Sequence, residues 1–219
     1  MTDTTLRHGA VVRITHWLNA ATFIAFVLSG IAILLAYPRL HWGEVGHLDM
    51  PAFIELPLPQ LLEWGGRGPG RSLHFLAAWL FVLNGFAYLI SGILSRHFRN
   101  RLLPQKSDFS WQSIRTALAS VLPGRAKAAA GTQYNPLQRI LYCSVVFVLL
   151  PFMFITGLAM SPTVMSVFPF VVEVLGGQQS ARTLHFFATA ALLLFFLIHL
   201  VAALRTNFFR RCRAMIIGH

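Results

Sequence analysis

Acidic residues are what this chain most lacks: it has 7 Asp and Glu against 18 Lys and Arg in 219 residues. Charged residues of both signs make up 11% of it, where a soluble domain carries roughly 25%. That shortage excludes a surface facing water on every side. Cysteine is scarce too, with Cys143 in an apolar run and Cys212 in a basic tail, so a disulfide scaffold is excluded. There is no Cys-x-x-Cys-His run to attach a cofactor by thioether bonds. Nor is there a short apolar stretch followed by a small-residue cleavage site, so no removable signal peptide is expected.

What is present is hydrophobic side chain, 56% of the residues. Four runs reach the roughly 20 residues a membrane-spanning helix needs: Ile14–Tyr37, Ser72–Ser95, Leu137–Ser161 and Thr183–Leu204. They are apolar all round, so length and freedom from charge identify them, not periodicity. Bare strands are excluded because a spanning backbone must satisfy its own hydrogen bonds. The expected fold is an all-α membrane protein, a single up-and-down bundle of four transmembrane helices.

Placement of the basic residues predicts the orientation. The N-terminal tail, the loop 96–136 and the C-terminal tail hold most of the Arg and Lys, with only Asp3 and Asp108 against them. The opposite side has Arg39, Arg67, Arg71 and Arg182 with five acids, Glu44, Asp49, Glu55, Glu63 and Glu173. Both termini are therefore expected in the cytoplasm, and the net charge of +11 reads as a topology signal, with no nucleic-acid role. The outer, periplasmic loop 38–71 is rich in Pro and Gly and reads as packed and irregular. In the inner loop, "SDFSWQSIRTALASVLPG" puts Trp111, Ile114, Leu118 and Val121 on one helical face, with Ser110 as N-cap, and predicts an interfacial amphipathic helix.

Four of the nine histidines lie in or at the edge of the spans: His16, His74, His185 and His199. Ionisable groups there are costly, and function is the default reading; singly, each could equally be an interhelical hydrogen-bonding residue. Jointly they sort by depth. His185 and His199 are fourteen residues apart, about 21 Å along one helix and within about 40° of the same face. In an up-and-down bundle His74 falls at the outer level with His185, and His16 at the inner level with His199. Paired imidazoles at two depths suit axial ligation of two b-type haems. A zinc site would want its ligands at one depth, and a proton relay would want acids that the spans lack. Gly30 and Gly85 return to the ligand faces, where a porphyrin needs room; small residues are also common at any membrane helix interface. "RITHW", "RSLHF" and "RTLHF" each set an Arg one turn before a ligand histidine. Arg13 is thereby a candidate for the inner haem's propionates, and Arg71 and Arg182 for the outer haem's; plain anchoring of helix ends is the alternative. His8, His41, His47, His97 and His219 read as solvated or interfacial.

At these residues the chain resembles the di-haem cytochrome b subunits of bacterial respiratory complexes: thiosulfate reductase cytochrome b subunits, nickel–iron hydrogenase b-type cytochromes and formate dehydrogenase gamma subunits. The likeness spans nearly the whole chain. It rests on the three Arg-x-x-His motifs, the fourteen-residue histidine spacing, "YNPLQR" before helix three and "GILSRHFRNRLLP" after helix two. It implies a bacterial inner-membrane protein with two haem b groups that exchanges electrons with a quinone, menaquinone or ubiquinone, beside the inner haem. It also implies a periplasmic redox partner carrying molybdopterin or iron–sulfur centres. In "YNPLQR", Asn135 and Gln138 are the implied quinone contacts, though Asn135 before Pro136 is also a helix N-cap signal. The longer inner loop departs from the formate dehydrogenase type. Two other classes stay open from the sequence: a stand-alone quinol oxidoreductase reducing a small diffusible acceptor at the outer haem, and a haem-free anchor or transporter.

Overall fold

In the computed structural model, the residues described are 9–47, 49–58, 68–96, 98, 103, 109–113, 115, 136–205 and 208–218. Four long apolar helices dominate. Helix α1 is Ala10–Ala36 and α2 is Pro69–Leu94. The third span runs as α3, Pro136–Ser144, a π-helical turn Val145–Leu149, and α4, Leu150–Ala159. Short helices α5 (Pro162–Val167) and α6 (Phe170–Val174) lead to α7, Gln178–Leu204, and α8 is Phe208–Ile217. Three of the four spanning helices start three to five residues before the apolar runs do, so Arg13, Arg71 and Arg182 lie inside the helices.

The bundle is inside-out relative to a soluble protein. Among the described residues the buried hydrophobics are mostly alanine, Ala36, Ala77, Ala159, Ala181 and Ala188 beside Leu40 and Val172. Large side chains such as Leu28, Leu83, Ile90 and Leu197 point outward. In lipid nothing drives them in, and small residues let backbones approach. The buried positions of α1 recur every seven residues, Thr15, Thr22, Ser29 and Ala36, and α2 answers with Gly70, Ala77 and Asn84. Asn84 Nδ2 donates to Thr15 O at 2.9 Å and to Asn19 Oδ1 at 2.7 Å. This antiparallel register puts Ala77 at the level of Thr22 and Gly70 at that of Ser29.

Backbone packing is concentrated within two helix pairs, α1 with α2 and α4 with α7. Between the pairs, contact is made by side chains, among them Phe23 and Phe196 with ring centroids 5.0 Å apart. The π turn follows from Pro151, which has no N–H and crowds the carbonyl four residues back; Leu150 N–H bonds instead to Val145 O, five residues back. One extra residue in that turn re-phases the rest of the span. Its first half then presents Tyr142 to His199, and its second presents Thr156 to His185.

One end of the bundle holds the start of α1 and the helix α8; this is the tail end. Arg13 Nη1 donates to Ile216 O and Trp17 Nε1 to Met215 O, at 2.9 and 3.0 Å, tying α8 to α1. At the opposite, loop end, residues 37–47 and 49–58 are less irregular than their composition suggests. They form a two-stranded antiparallel ladder, β1 (Arg39–Leu40) with β2 (Ile54–Glu55), in the register Arg39 to Glu55 and Leu40 to Ile54. Arg39 and Glu55 also pair at 2.8 Å. The loop caps α7, whose first-turn N–H groups lack helical partners. Gly43 O accepts from Gln179 and Ser180 N–H, and Ser180 Oγ accepts from Gly43 N–H. The approach is so close that a Cβ on Gly177, at φ +106°, would stand 2.5 Å from Gly43 backbone atoms. Of the inner-loop amphipathic segment, only its first turn and Arg115 are described, with Ser110 Oγ accepting from Ser113 N–H; Ile114, Leu118 and Val121 lie outside the described residues.

Candidate functional site

Each long helix of the α1–α2 pair contributes one histidine to the space between the pairs, and α7 contributes two. His74 and His185 face each other at the loop end with ring centroids 6.3 Å apart. His16 and His199 do so at the tail end, 6.4 Å apart. Two imidazoles on opposite sides of one metal, each with a metal–nitrogen bond of about 2.0 Å and the ring beyond it, have centroids roughly 6.3 Å apart. Both pairs match that separation. The interplanar angles of 61° and 50° are compatible with it, because an imidazole is free to turn about a metal–nitrogen bond. No cluster of three or more His, Cys, Asp or Glu that could hold a bare metal ion occurs among the described residues.

The hydrogen bonds of the loop-end pair fix which nitrogen is free. Ser29 Oγ lies 2.9 Å from His74 Nδ1 and donates its own proton to Ala25 O at 2.6 Å. Thr156 Oγ1 lies 2.9 Å from His185 Nδ1 and donates to Phe152 O at 2.9 Å. A hydroxyl has a single proton. With that proton on a backbone carbonyl, each oxygen accepts from the Nδ1–H of its histidine. Both imidazoles are thereby held as the Nδ1–H tautomer, with the Nε2 lone pair free to bind a metal, the arrangement of ligand histidines in general. Space is present as well: a Cβ built on Gly30 or on Gly85 would meet nothing within 4 Å. These residues fit a haem held by two axial histidines.

At the tail end, His199 stacks on Phe195 and meets Tyr142 edge-on, while Trp17 is edge-on to His16. The three arginines of the repeated motif are engaged differently. Arg13 reaches Ile216 O. Arg71 is exposed, its guanidinium 5.8 Å over the Phe75 ring. Arg182 donates to Arg39 O at 3.0 Å and to Tyr37 O, with its guanidinium 4.8 Å over the Tyr37 ring. Gln138 is half-buried at the start of the third span, and Asn135 lies outside the described residues.

Sequence reasoning missed Ser29, Thr156 and Asn84. The seven-residue spacing of small and hydroxyl residues along α1 was the available signal for Ser29. His41, read as solvated or interfacial, is not solvated: that side chain is 3% exposed, with its carbonyl accepting from Thr183 Oγ1 at 2.7 Å.

A lipid-facing four-helix bundle with facing imidazoles between its helix pairs defines a membrane-bound b-type cytochrome. Comparison with known proteins agrees. The chain belongs to the prokaryotic cytochrome b561 family, whose profile matches residues 7–218. It is 30% identical over 213 residues to YedZ1 of Azospira oryzae, named as a protein-methionine-sulfoxide reductase subunit, covering 97% of this chain and 96% of the relative. It is 24% identical to a protein of Cupriavidus necator named as a Ni/Fe-hydrogenase B-type cytochrome subunit, covering 93% and 80%. A protein of the same name from Rhodobacter capsulatus is 23% identical, covering 97% and 79%. No solved structure matches the chain significantly. The protein is thus a multi-pass inner-membrane electron carrier that binds haem b.

Proposed function

We propose that the chain is a di-haem cytochrome b carrying electrons across the inner membrane between the quinone pool and a periplasmic redox partner. The observation that carries the reading is that the imidazole rings of the two pairs stand 6.3 and 6.4 Å apart, a spacing at which each pair would hold one iron between its rings. His74 and His185 would hold one haem, and His16 and His199 the other, about 21 Å away along α7. Haem iron supplies a one-electron couple, and the protein supplies ligands, orientation and electrostatics.

The charge bias of the loops supports an orientation with the tail end in the cytoplasm and the loop end in the periplasm. On that orientation the quinone exchanges at the tail end, where an apolar groove of about 660 Å³ between α1 and α8 is lined by Ile14, Trp17, Leu18 and Met215 among others. Asn135 and Gln138 are the quinone contacts that the family likeness suggests. The partner docks at the loop end, whose hairpin exposes Trp42, Phe53 and Glu55. The relatives named for a sulfoxide reductase and for hydrogenases support a catalytic partner subunit; that it carries molybdopterin or iron–sulfur centres is what the family likeness suggests. Arg13, Arg71 and Arg182 stand one turn from the histidines and would be the cations nearest to haem propionates directed toward the bundle ends.

The test is a reduced-minus-oxidised spectrum of the purified protein with haem counted as the pyridine haemochrome. Two haem b per chain, falling to one in His74→Ala, are expected. One or none in the well-folded wild type, expressed with adequate haem, refutes the reading. Quinol oxidation that depends on an added periplasmic partner tests the direction of transfer.

A further inference from the structure

The loop end holds buried polar chemistry that neither the helix capping nor the axial ligands use. His41 is 3% exposed, and neither Nδ1 nor Nε2 has a hydrogen-bond partner. Its ring stacks on Tyr37, with centroids 5.9 Å apart and planes inclined by 26°, and the Tyr37 hydroxyl is likewise buried without a partner. Buried polar atoms in this condition are rare in native proteins, and each one calls for an explanation such as a missing ligand or water.

The loop works to keep them there. Thr183 and Arg182 hold the carbonyls of His41, Arg39 and Tyr37. Gly46 lies so close that a Cβ there would come within 2.9 Å of the His41 ring. Directly against Tyr37 sits the Arg182 guanidinium, and the Arg39–Glu55 contact is the sole salt bridge among the described residues. Among the described residues, Arg182 is therefore a half-buried positive charge answered by carbonyl dipoles and an aromatic face. A phenol donor, an imidazole donor and an uncompensated guanidinium together suit an anion, and a planar carboxylate in particular.

Position says where such a carboxylate comes from. Arg182 and Thr183 are three and two residues before His185 on α7, toward the loop end. Tyr37 directly follows α1, eight residues and about 12 Å beyond Ser29, and Ser29 contacts His74. The cluster thus lies on the outward side of the His74–His185 pair, the side to which a haem in a membrane bundle turns its propionates. We propose that Tyr37 and His41, over the charge of Arg182, form a carboxylate pocket that receives a propionate of the haem held between His74 and His185. This rests on the di-haem reading above.

The experiment compares wild type with Tyr37→Phe and His41→Phe, and with His41→Gln as the variant that keeps an N–H donor. Tyr37→Phe keeps the ring under Arg182 and removes only the hydroxyl, so the fold is retained. Each protein is reconstituted with haem carrying ¹³C-labelled propionates. Two quantities are read: the midpoint potential of each haem, and the labelled carboxylate bands in the redox infrared difference spectrum. The haem lost in His74→Ala identifies which potential belongs to the loop-end site. Donors to an anionic propionate favour the reduced haem, so Tyr37→Phe and His41→Phe should lower that potential alone and shift the labelled bands, with His41→Gln restoring both in part. Unmoved bands and potentials in both Phe variants mean that the pocket holds only water, and overturn the proposal. A shift confined to the other haem overturns it too. Failure of the di-haem reading is distinguishable, because it appears as fewer than two haems in the wild type before any variant is made.

Discussion

Thr156→Val removes one proton and one acceptor from the loop-end site with almost no change of shape. Thr156 is fully buried, and its oxygen is the partner of His185 Nδ1 at 2.9 Å. In the variant the imidazole loses the group that fixes its tautomer and its rotation about the side-chain bond. Both ring nitrogens then compete for the single proton, and the Nε2 lone pair is presented for only part of the time. Loss of such a supporting partner typically lowers metal affinity about 10–100-fold, or about 1.4–2.7 kcal/mol. The same hydroxyl also satisfies a buried N–H, whose exposure to an apolar neighbour costs about 1–3 kcal/mol. Haem loss to excess apomyoglobin, followed optically, should therefore be one to two orders of magnitude faster for one haem of the two in Thr156→Val. Thr156→Ser should stay near wild type, and Ser29→Ala should weaken the same haem through His74. Equal rates in wild type and Thr156→Val would refute the idea that the hydroxyl sets the ligand's tautomer.

His199→Ala should leave one haem per chain with the optical and redox properties of the loop-end site, counted as pyridine haemochrome. Asn84→Leu removes both hydrogen bonds that pin α2 to α1 at the level of Thr15; a loss of about 1–2 kcal/mol is expected, read by unfolding in mixed micelles. Gly177→Ala puts a Cβ 2.5 Å from the Gly43 backbone at a φ of +106°. Together, strain of about 1–3 kcal/mol and a displaced loop should appear as faster proteolysis between residues 37 and 58, with the His16–His199 haem unaffected.

The sequence alone was enough for the four helices, because a charge-free run of twenty or more residues has few alternatives in a membrane. It was also enough for the two histidine pairs: helical periodicity and up-and-down alternation are rigid rules, and they fix both depth and facing. Tertiary structure decided what depends on backbones approaching through a particular register. Ser29 meets His74 only because the seven-residue repeats of α1 and α2 interlock, and Thr156 faces His185 across a span re-phased by a π turn. Apolarity guided neither residue, since a hydroxyl bonded to its own helix looks inert in sequence. The Pro- and Gly-rich loop was least legible. Its hairpin, the hydrogen bonds of Arg182 to loop carbonyls and the burial of His41 occur where the loop meets α7 and Gly43 caps it. Capping depends on which chain segment reaches the helix end, a matter of distance in space that local composition does not encode.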